Sequence, residues 1–355
     1  MDASPSIKPL RVGIAGCGYF GARIARSFQH APGLSVAALC DPAQQALREA
    51  VAATPGTIGF GSLEAMLALP DLDAVVVAAP PHLHAPTAAR CLRAGKHVLV
   101  EKPMTTTAAD AERLIDLAES HDRVLMVDHT SLFTPAMETL LSLIGSGVIG
   151  KPRHIHCERA NFGAFRTDVN AAWDLAPHDL AFVLHLSGCI PETVNCTGSR
   201  HTSRDREDAV QITLAFPGGL TATIHNSWLS PVRTRRCTVV GETGSACHEE
   251  DGDRAIVRLR PQGIARQYPA ISSIKVPRLT IRHPRRGCES KTPDPLATVG
   301  IHFARCIRDG SRPVSDGWSG LEVVRVLEAC DRSLAAAGAA ATLGDPNPAS
   351  LPLTA

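Results

Sequence analysis

Lysine, tyrosine and aromatic residues in general are scarce in this chain. Six of its 36 basic side chains are lysines, two residues are tyrosines, and Phe, Trp and Tyr together make up 4% of 355 residues. A skewed Arg to Lys ratio with abundant Ala reflects a G+C-rich genome rather than function, and it makes each lysine inside a motif easier to notice. An excess of either charge is also missing: 36 basic against 35 acidic side chains leave +1 at neutral pH, so nothing points to nucleic acid or another polyanion as partner. No apolar run reaches the roughly 20 residues of a membrane span, and the N-terminus, with Asp2, Ser4, Pro5 and Lys8, lacks the apolar segment of a signal peptide. These features predict a soluble protein with a cytoplasmic location. Eleven cysteines, an odd number with no C-x-x-C pair, are a poor disulfide or zinc framework. Cys17, Cys40 and Cys91, set in apolar runs, read as small buried hydrophobes.

What is present is enough apolar residue, 44%, to build two cores, and a length beyond the size at which one core stops growing. From Arg11 to Val127 apolar runs alternate with turn signals and helical stretches, which predicts βαβ units on a parallel sheet. Strands are expected near Val12 to Ala15, Ser35 to Cys40, Ala74 to Ala78, His97 to Val100 and Val124 to Val127. Helices are expected at Ala22 to Gln29, Ala43 to Ala52, Leu63 to Leu69, Pro86 to Ala94 and Ala108 to Ser120, with one more at Thr134 to Ser146. The second half reads as α+β on an open antiparallel sheet, with Phe216 to Leu220 as a hairpin turn, a helix at Leu175 to Leu186 and two closing helices at Ala297 to Arg308 and Gly320 to Ala335. The expected domains are 8–128, doubly wound α/β, and 129–337, α+β for substrate and oligomerisation. Residues 338–355, rich in Ala, Pro and small polar residues, are expected to be a disordered tail.

The first strand runs into Gly16-Cys17-Gly18-Tyr19-Phe20-Gly21 and then a helix. In such a G-x-G-x-x-G turn the first glycine permits the tight bend, the second admits a pyrophosphate to the backbone, and the third lets helix and strand pack closely. The helix N-terminus then offers N–H groups to phosphate. Asp41 follows the second strand 20 residues after Gly21, where its carboxylate would accept from ribose hydroxyls. The competing role for Asp41 is to cap the helix after Pro42. Pro42, Ala43, Gln44 and Gln45 contain no arginine to receive a 2′-phosphate, which favours NAD over NADP.

Glu101-Lys102-Pro103, Ala79-Pro80-Pro81-His82-Leu83-His84 and Trp173-Asp174-Leu175-Ala176-Pro177-His178-Asp179 together resemble the Gfo/Idh/MocA oxidoreductase family over nearly the whole chain. Val127-Asp128-His129-Thr130, and Asp168-Val169-Asn170 leading to Trp173, are similar to the branch of 3-dehydrogenases and 3-ketoreductases for nucleotide-linked or amino sugars. The resemblance implies a tightly held nicotinamide cofactor and dimers or tetramers formed through the second domain's sheet. It also implies cofactor contacts from Gly16, Gly18, Tyr19, Phe20, Gly21, Asp41, Ala79, Pro80, His84, Glu101 and Lys102, and a Lys102-Pro103 bond that is cis.

Lys102 leaves the carboxyl end of a parallel strand, the edge at which doubly wound sheets bind ligands, and the resemblance places it beside the reacting oxygen. An ammonium there would stabilise a forming alkoxide or polarise a carbonyl. Asp174 and His178 are spaced i, i+4, one helical face, and the pair suits a base working near neutrality with a carboxylate that orients it. Asp174 has a competing role as the helix N-cap. Asp174, His178 and His185 share a face, but no further ligands join them at metal spacing, so no metal is expected. Asn161, Arg166, Asp168 and Asn170 could line a sugar pocket or form an ordinary solvated loop. The leading expectation is NAD-dependent hydride exchange at a secondary alcohol or ketone of a sugar, amino sugar, nucleotide-sugar or cyclitol at C3, with Lys102, His178 and Asp174 catalytic. A glycosidase working by transient oxidation and elimination, and a non-catalytic nicotinamide-binding protein, are the alternatives.

Overall fold

The computed structural model describes residues 8–163, 165–251, 254–260, 264, 279–284 and 294–343. Contacts divide the chain into two compact units, Met1–Thr130 with Pro293–Val324, and Ser131–Thr292 with Arg325–Ala355. The first unit carries strands β1 (Leu10–Ala15), β2 (Leu34–Cys40), β3 (Ile58–Phe60), β4 (Ala74–Val77), β5 (His97–Glu101) and β6 (Leu125–Asp128). They form one parallel sheet in the order β3-β2-β1-β4-β5-β6, the doubly wound dinucleotide-binding arrangement with its crevice beside β1 and β4. Val12, Ile14, Val75, Val76, Val98 and Leu99 are wholly buried, as strands covered on both faces require. The connecting helices are α1 (Tyr19–Gln29), α2 (Gln44–Ala52), α3 (Leu63–Leu67), α4 (Pro81–Arg93) and α5 (Ala108–Ser120). β3 was not anticipated from the sequence, because three residues are too few to show an alternation. α4 opens at Pro81 rather than Pro86 and carries Pro86 inside it. Pro81 occupies the first turn, where a missing N–H costs nothing, and Gly95 follows with φ +72°.

Residues 294–324 were expected in the second domain, yet they complete the first unit, because small residues let them approach it closely. In α8 (Pro295–Asp309), a Cβ on Gly300 would lie 2.7 Å from Leu34 and Phe28 side-chain carbons. Ser27 Oγ donates to Asp294 Oδ2 at 2.8 Å. Val127 and Ser315 are tied by a Val127 N–H to Ser315 O bond of 2.7 Å and a Ser315 Oγ–H to Val127 O bond of 2.7 Å. The last helix, α9 (Gly317–Ala335), begins in the first unit and ends in the second.

The second unit holds α6 (Pro135–Gly145), α7 (Ala171–Ser187) and strands β7 (Pro152–Phe162), β8 (Thr193–Ser199), β9 (Ala209–Ala215), β10 (Thr221–Ser227), β11 (Leu229–Gly241), β12 (Ser245–Asp251), β13 (Arg254–Arg260) and β14 (Leu279–Pro284). The sheet order is β14-β13-β12-β11-β7-β10-β9-β8. It is mixed rather than antiparallel throughout: β7 and β10 pair in parallel, with His154 opposite Thr221 and Ser227 opposite Ala160. This contact joins strands distant in sequence, so neither strand's pattern reveals its direction. The β9–β10 turn contains Gly218 and Gly219, both with positive φ, as the sequence predicts. Helix α7 lies on β7, β9 and β10, and α6 on β12, β13 and β14. The expected tail is ordered at its start, where Ala341 exchanges two 2.9 Å backbone hydrogen bonds with Val194. Residues 344–355 lie outside the described residues. Among the described residues no helix is long and apolar enough to cross a membrane.

Candidate active site

The glycine turn sits at the carboxyl end of β1. Gly16 has φ +105°, and a Cβ there would lie 2.6 Å from the Ala78 carbonyl. A Cβ on Gly21 would sit 1.9 Å from Gly16 O, whereas one on Gly18 would meet nothing within 4 Å. The first and third glycines therefore close the turn against β4, and the second leaves open space where a pyrophosphate can approach. No side chain caps α1 at Gly18, so its first-turn N–H groups keep their capacity for phosphate. Tyr19 and Phe20, 74% and 45% exposed, stand at this helix entrance edge to face, with the Arg23 guanidinium 5.6 and 5.8 Å from their ring centres. Arg23 adds a cation near the anion-binding end, legible in hindsight from its i+3 and i+4 spacing to the two rings.

Asp41 is not the N-cap of α2; that position is Ala43. Its Oδ2 accepts the Cys17 N–H at 2.7 Å and its Oδ1 the Ala43 N–H at 2.8 Å, which ties the glycine turn to the end of β2. Each carboxylate oxygen can accept more than one hydrogen bond, so the group also fits ribose hydroxyls.

Ala79 and Pro80 follow β4, and Pro80 precedes α4. His84, on the first turns of α4, is buried with Nδ1 2.8 Å from Pro103 O and Nε2 2.8 Å from Ala79 O. Both ring nitrogens are thereby engaged with backbone, so His84 braces the segments that carry Ala79 and Lys102. Burial pushes its imidazole toward the neutral form, and the two carbonyls oppose that shift. Lys102-Pro103 is cis, and Lys102 follows β5 at the sheet's carboxyl edge. Around it stand Glu101, Asp128 and His129, all buried. Burial, and next the Lys102 charge, push the His129 imidazole down to about 3.

In the second unit the cap of α7 is Asn170, whose side chain accepts the Trp173 N–H at 3.1 Å. The capping role weighed for Asp174 thus belongs to its neighbour. Asp174 lies in the first turn of α7 and accepts the Trp228 Nε1–H at 3.0 Å through Oδ2. His178 follows one turn later on the same face, its backbone carbonyl accepting Ser131 Oγ–H at 3.4 Å. Pro177 lies inside the helix. Beneath, Asp179 receives Arg159 Nε and Nη2, the latter at 2.7 Å, and Asn226 Nδ2 at 3.1 Å. That buried cluster fixes α7 to β7 and β10. Sequence reading missed Arg159, Asn226 and Trp228 because their partners, Asp179 and Asp174, lie on α7, distant from them in sequence. Phe162, 69% exposed, and Phe165 continue from Trp228 as an edge-to-face stack with centroids 5.9 and 6.3 Å apart. Arg166 and Asp168 form a bidentate pair at 2.9 and 2.8 Å. Asn161 Oδ1 accepts Arg235 Nη2–H at 2.9 Å. His185 lies near the end of α7, and no group of three metal-ligating side chains occurs among the described residues.

Comparison with known proteins accounts for both units. Residues 10–129 match the model of an oxidoreductase family with an NAD-binding Rossmann fold, Gfo/Idh/MocA. Residues 137–247 match the C-terminal domain of the same family. The chain belongs to the Gfo/Idh/MocA oxidoreductase family. A dTDP-3,4-didehydro-2,6-dideoxy-alpha-D-glucose 3-reductase of Streptomyces violaceoruber is 37% identical over 149 residues, 42% of this chain and 43% of that protein. A UDP-N-acetylglucosamine 3-dehydrogenase of Acidithiobacillus ferrooxidans is 29% identical over 231 residues, 65% of this chain and 71% of the relative. The solved aldose-aldose oxidoreductase of Caulobacter crescentus, in complex with glycerol, superposes with a TM-score of 0.78 at 25% identity, covering 94% of this chain and 100% of that one. Alignments span 59, 43 and 61% of the lengths of the first curated relatives.

Proposed function

We propose that this protein exchanges a hydride between NAD(H) and a secondary alcohol or ketone of a sugar-like substrate, at C3 of a nucleotide-linked or amino sugar. The observation that carries the reading is Lys102 held at the carboxyl edge of the parallel sheet, beside the glycine turn's β1–β4 crevice, in a chain whose relatives include a 3-dehydrogenase and a 3-reductase of nucleotide sugars. Gly16, Gly18, Gly21 and the α1 N-terminus would hold the pyrophosphate, and Asp41 the adenosine ribose. Like charge on Asp41 disfavours a 2′-phosphate, which supports NAD over NADP. When bound, the nicotinamide supplies the hydride acceptor or donor. Lys102 stabilises negative charge on the reacting oxygen, and His178 takes or returns the hydroxyl proton. Asp174, anchored by Trp228, sets the electrostatic environment of the next turn of α7.

The half-exposed face of the second sheet, with His154, His156, Thr221 and Thr223 along β7 and β10, supports assembly of two or four copies, which sedimentation would read. A second reading is favoured by one relative: a 2,7-anhydro-N-acetylneuraminate hydratase of Escherichia coli is 28% identical over 231 residues. In that reading oxidation is transient and elimination follows. A panel of nucleotide-sugars, amino sugars and inositols, followed by nicotinamide absorbance and by product release, separates the two. Net NADH formation supports the dehydrogenase; cleavage or hydration without net NADH supports the second; inert behaviour over the panel refutes both.

A further inference from the structure

Glu101 ends β5 and Asp128 ends β6, and the two are direct register partners across the parallel pair. Their side chains therefore leave the same face of the sheet about 5 Å apart at the backbone. Both are buried, at 8% and 1% exposure. Asp128 Oδ1 accepts Thr130 Oγ1–H at 2.6 Å, and Glu101 Oε2 accepts the Lys102 N–H at 3.2 Å. Asp128 Oδ2 is buried and meets no N–H or alcohol O–H among the described residues. Across the strand pair stands a second carboxyl, Glu101, which donates only if it carries a proton. Two ionised carboxylates out of water would repel each other, and a buried acceptor without a donor costs free energy.

We propose that Glu101 and Asp128 form a one-proton dyad: Glu101 stays a carboxylic acid at neutral pH, its O–H donates to Asp128 Oδ2, and the pair presents one negative charge to the Lys102 ammonium. Burial first, and the Asp128 charge second, push the Glu101 carboxyl well above the usual carboxylate range, while Lys102 pulls the other way. Lys102 is the cation whose field reaches both carboxyls. His129, next along the chain, is pushed toward the neutral form by burial and by Lys102. Asp316, on the segment bridged to Met126 of β6, is paired with Arg312. Full ionisation of the pair would place two negative charges against the ammonium, and full protonation would withdraw the pair's charge from it. Glu101 and Asp128 are thus positioning residues that set the charge around Lys102. The dyad stands on the register pairing, the burial of both carboxyls and the unmatched Asp128 Oδ2; its consequence for Lys102 rests on the proposed function.

Infrared spectra of the wild-type protein carrying 13C at its glutamate side-chain carboxyls test the dyad without substrate. The expected result is a carboxylic-acid carbonyl band at pH 7 that moves with the glutamate label and disappears in Glu101→Gln. Absence of an acid band, or one that ignores the label, overturns the dyad. For Lys102 the readout is turnover with the Kd for NAD measured in parallel. The double variant Glu101→Gln/Asp128→Asn removes the shared charge whichever carboxyl carries it, and is expected to lower kcat by about tenfold or more while Kd stays within about threefold. Glu101→Gln keeps both the charge and a donor to Asp128, and is expected to lose less turnover than the double variant. Equal or greater loss in Glu101→Gln overturns the positioning role.

Discussion

Part of the acid sensitivity should trace to one fully enclosed histidine, His129. His129 is 1% exposed, and both its ring nitrogens are enclosed without a hydrogen-bond partner among the described residues. Its pKa falls from 6.5 to about 3, by burial first and Lys102 second. The unfolded chain therefore binds a proton at His129 below pH 6.5 that the folded chain refuses until about pH 3. Because the unfolded state binds more protons, stability falls as pH drops through this window and levels off below it. At pH 7 the ordinary histidine is mostly neutral and the penalty is about 0.2 kcal/mol; at pH 5 it is about 2 kcal/mol, with the folded form still neutral. His129→Gln does not titrate. Whatever that substitution costs at pH 7, the wild-type advantage over it should shrink by about 2 kcal/mol at pH 5. Urea unfolding of both proteins at the two pH values, compared as midpoint times slope, measures this. Identical pH dependence in the two proteins refutes the buried neutral imidazole.

The site gives further expectations. Asp41→Ala should narrow a wild-type preference for NADH over NADPH, read as the ratio of their Kd values; wild-type protein binding NADPH at least as tightly as NADH refutes the Asp41 argument. Lys102→Met should lower turnover on the order of 100-fold, and His178→Gln by a similar factor, with the pair far from multiplicative because both act on one oxygen. Oxidation requires a neutral His178, so its rate should rise with pH along an acid limb that vanishes in His178→Gln; retention of both rate and limb makes His178 structural. Asn170→Ala removes the α7 cap and the contacts of its Nδ2 with Glu207 and Asp331 at 3.3 and 3.4 Å. It should destabilise the fold by about 1 kcal/mol in chemical denaturation, and no loss would show that the cap is replaceable.

Local chemistry made part of this molecule legible. The Gly16 turn follows from backbone freedom and close packing, and Lys102 from its place at a strand's carboxyl end, so residue type and order suffice for both. The cap of α7 was also within reach, since Asn170 stands three residues before Trp173 and its side chain accepts that amide, but Asp174 in the recognised motif drew the reading away. What escaped depends on pairings between distant residues. The β7–β10 parallel contact, the Arg159–Asp179–Asn226 cluster and the Glu101–Asp128 pair each require strand register, which alternation does not encode. The assignment of 294–324 to the first unit rests on Gly300 meeting Phe28 and Leu34 and on Ser315 pairing with Val127, tertiary contacts invisible in either helix's own pattern. His84 reads from the sequence either as a cofactor contact or as a structural histidine at a helix start, and its ring nitrogens lie 2.8 Å from two backbone carbonyls, a bracing use that spacing does not distinguish.

The most direct test of the proposed chemistry is isotope transfer. Protein incubated with NADH deuterated at nicotinamide C4, on the transferred face, and a 3-keto nucleotide-sugar should yield product with deuterium at sugar C3 by NMR, and Lys102→Met should slow that incorporation on the order of 100-fold. Sugar product formed without deuterium, or no transfer to any 3-keto sugar offered, would contradict hydride exchange at C3.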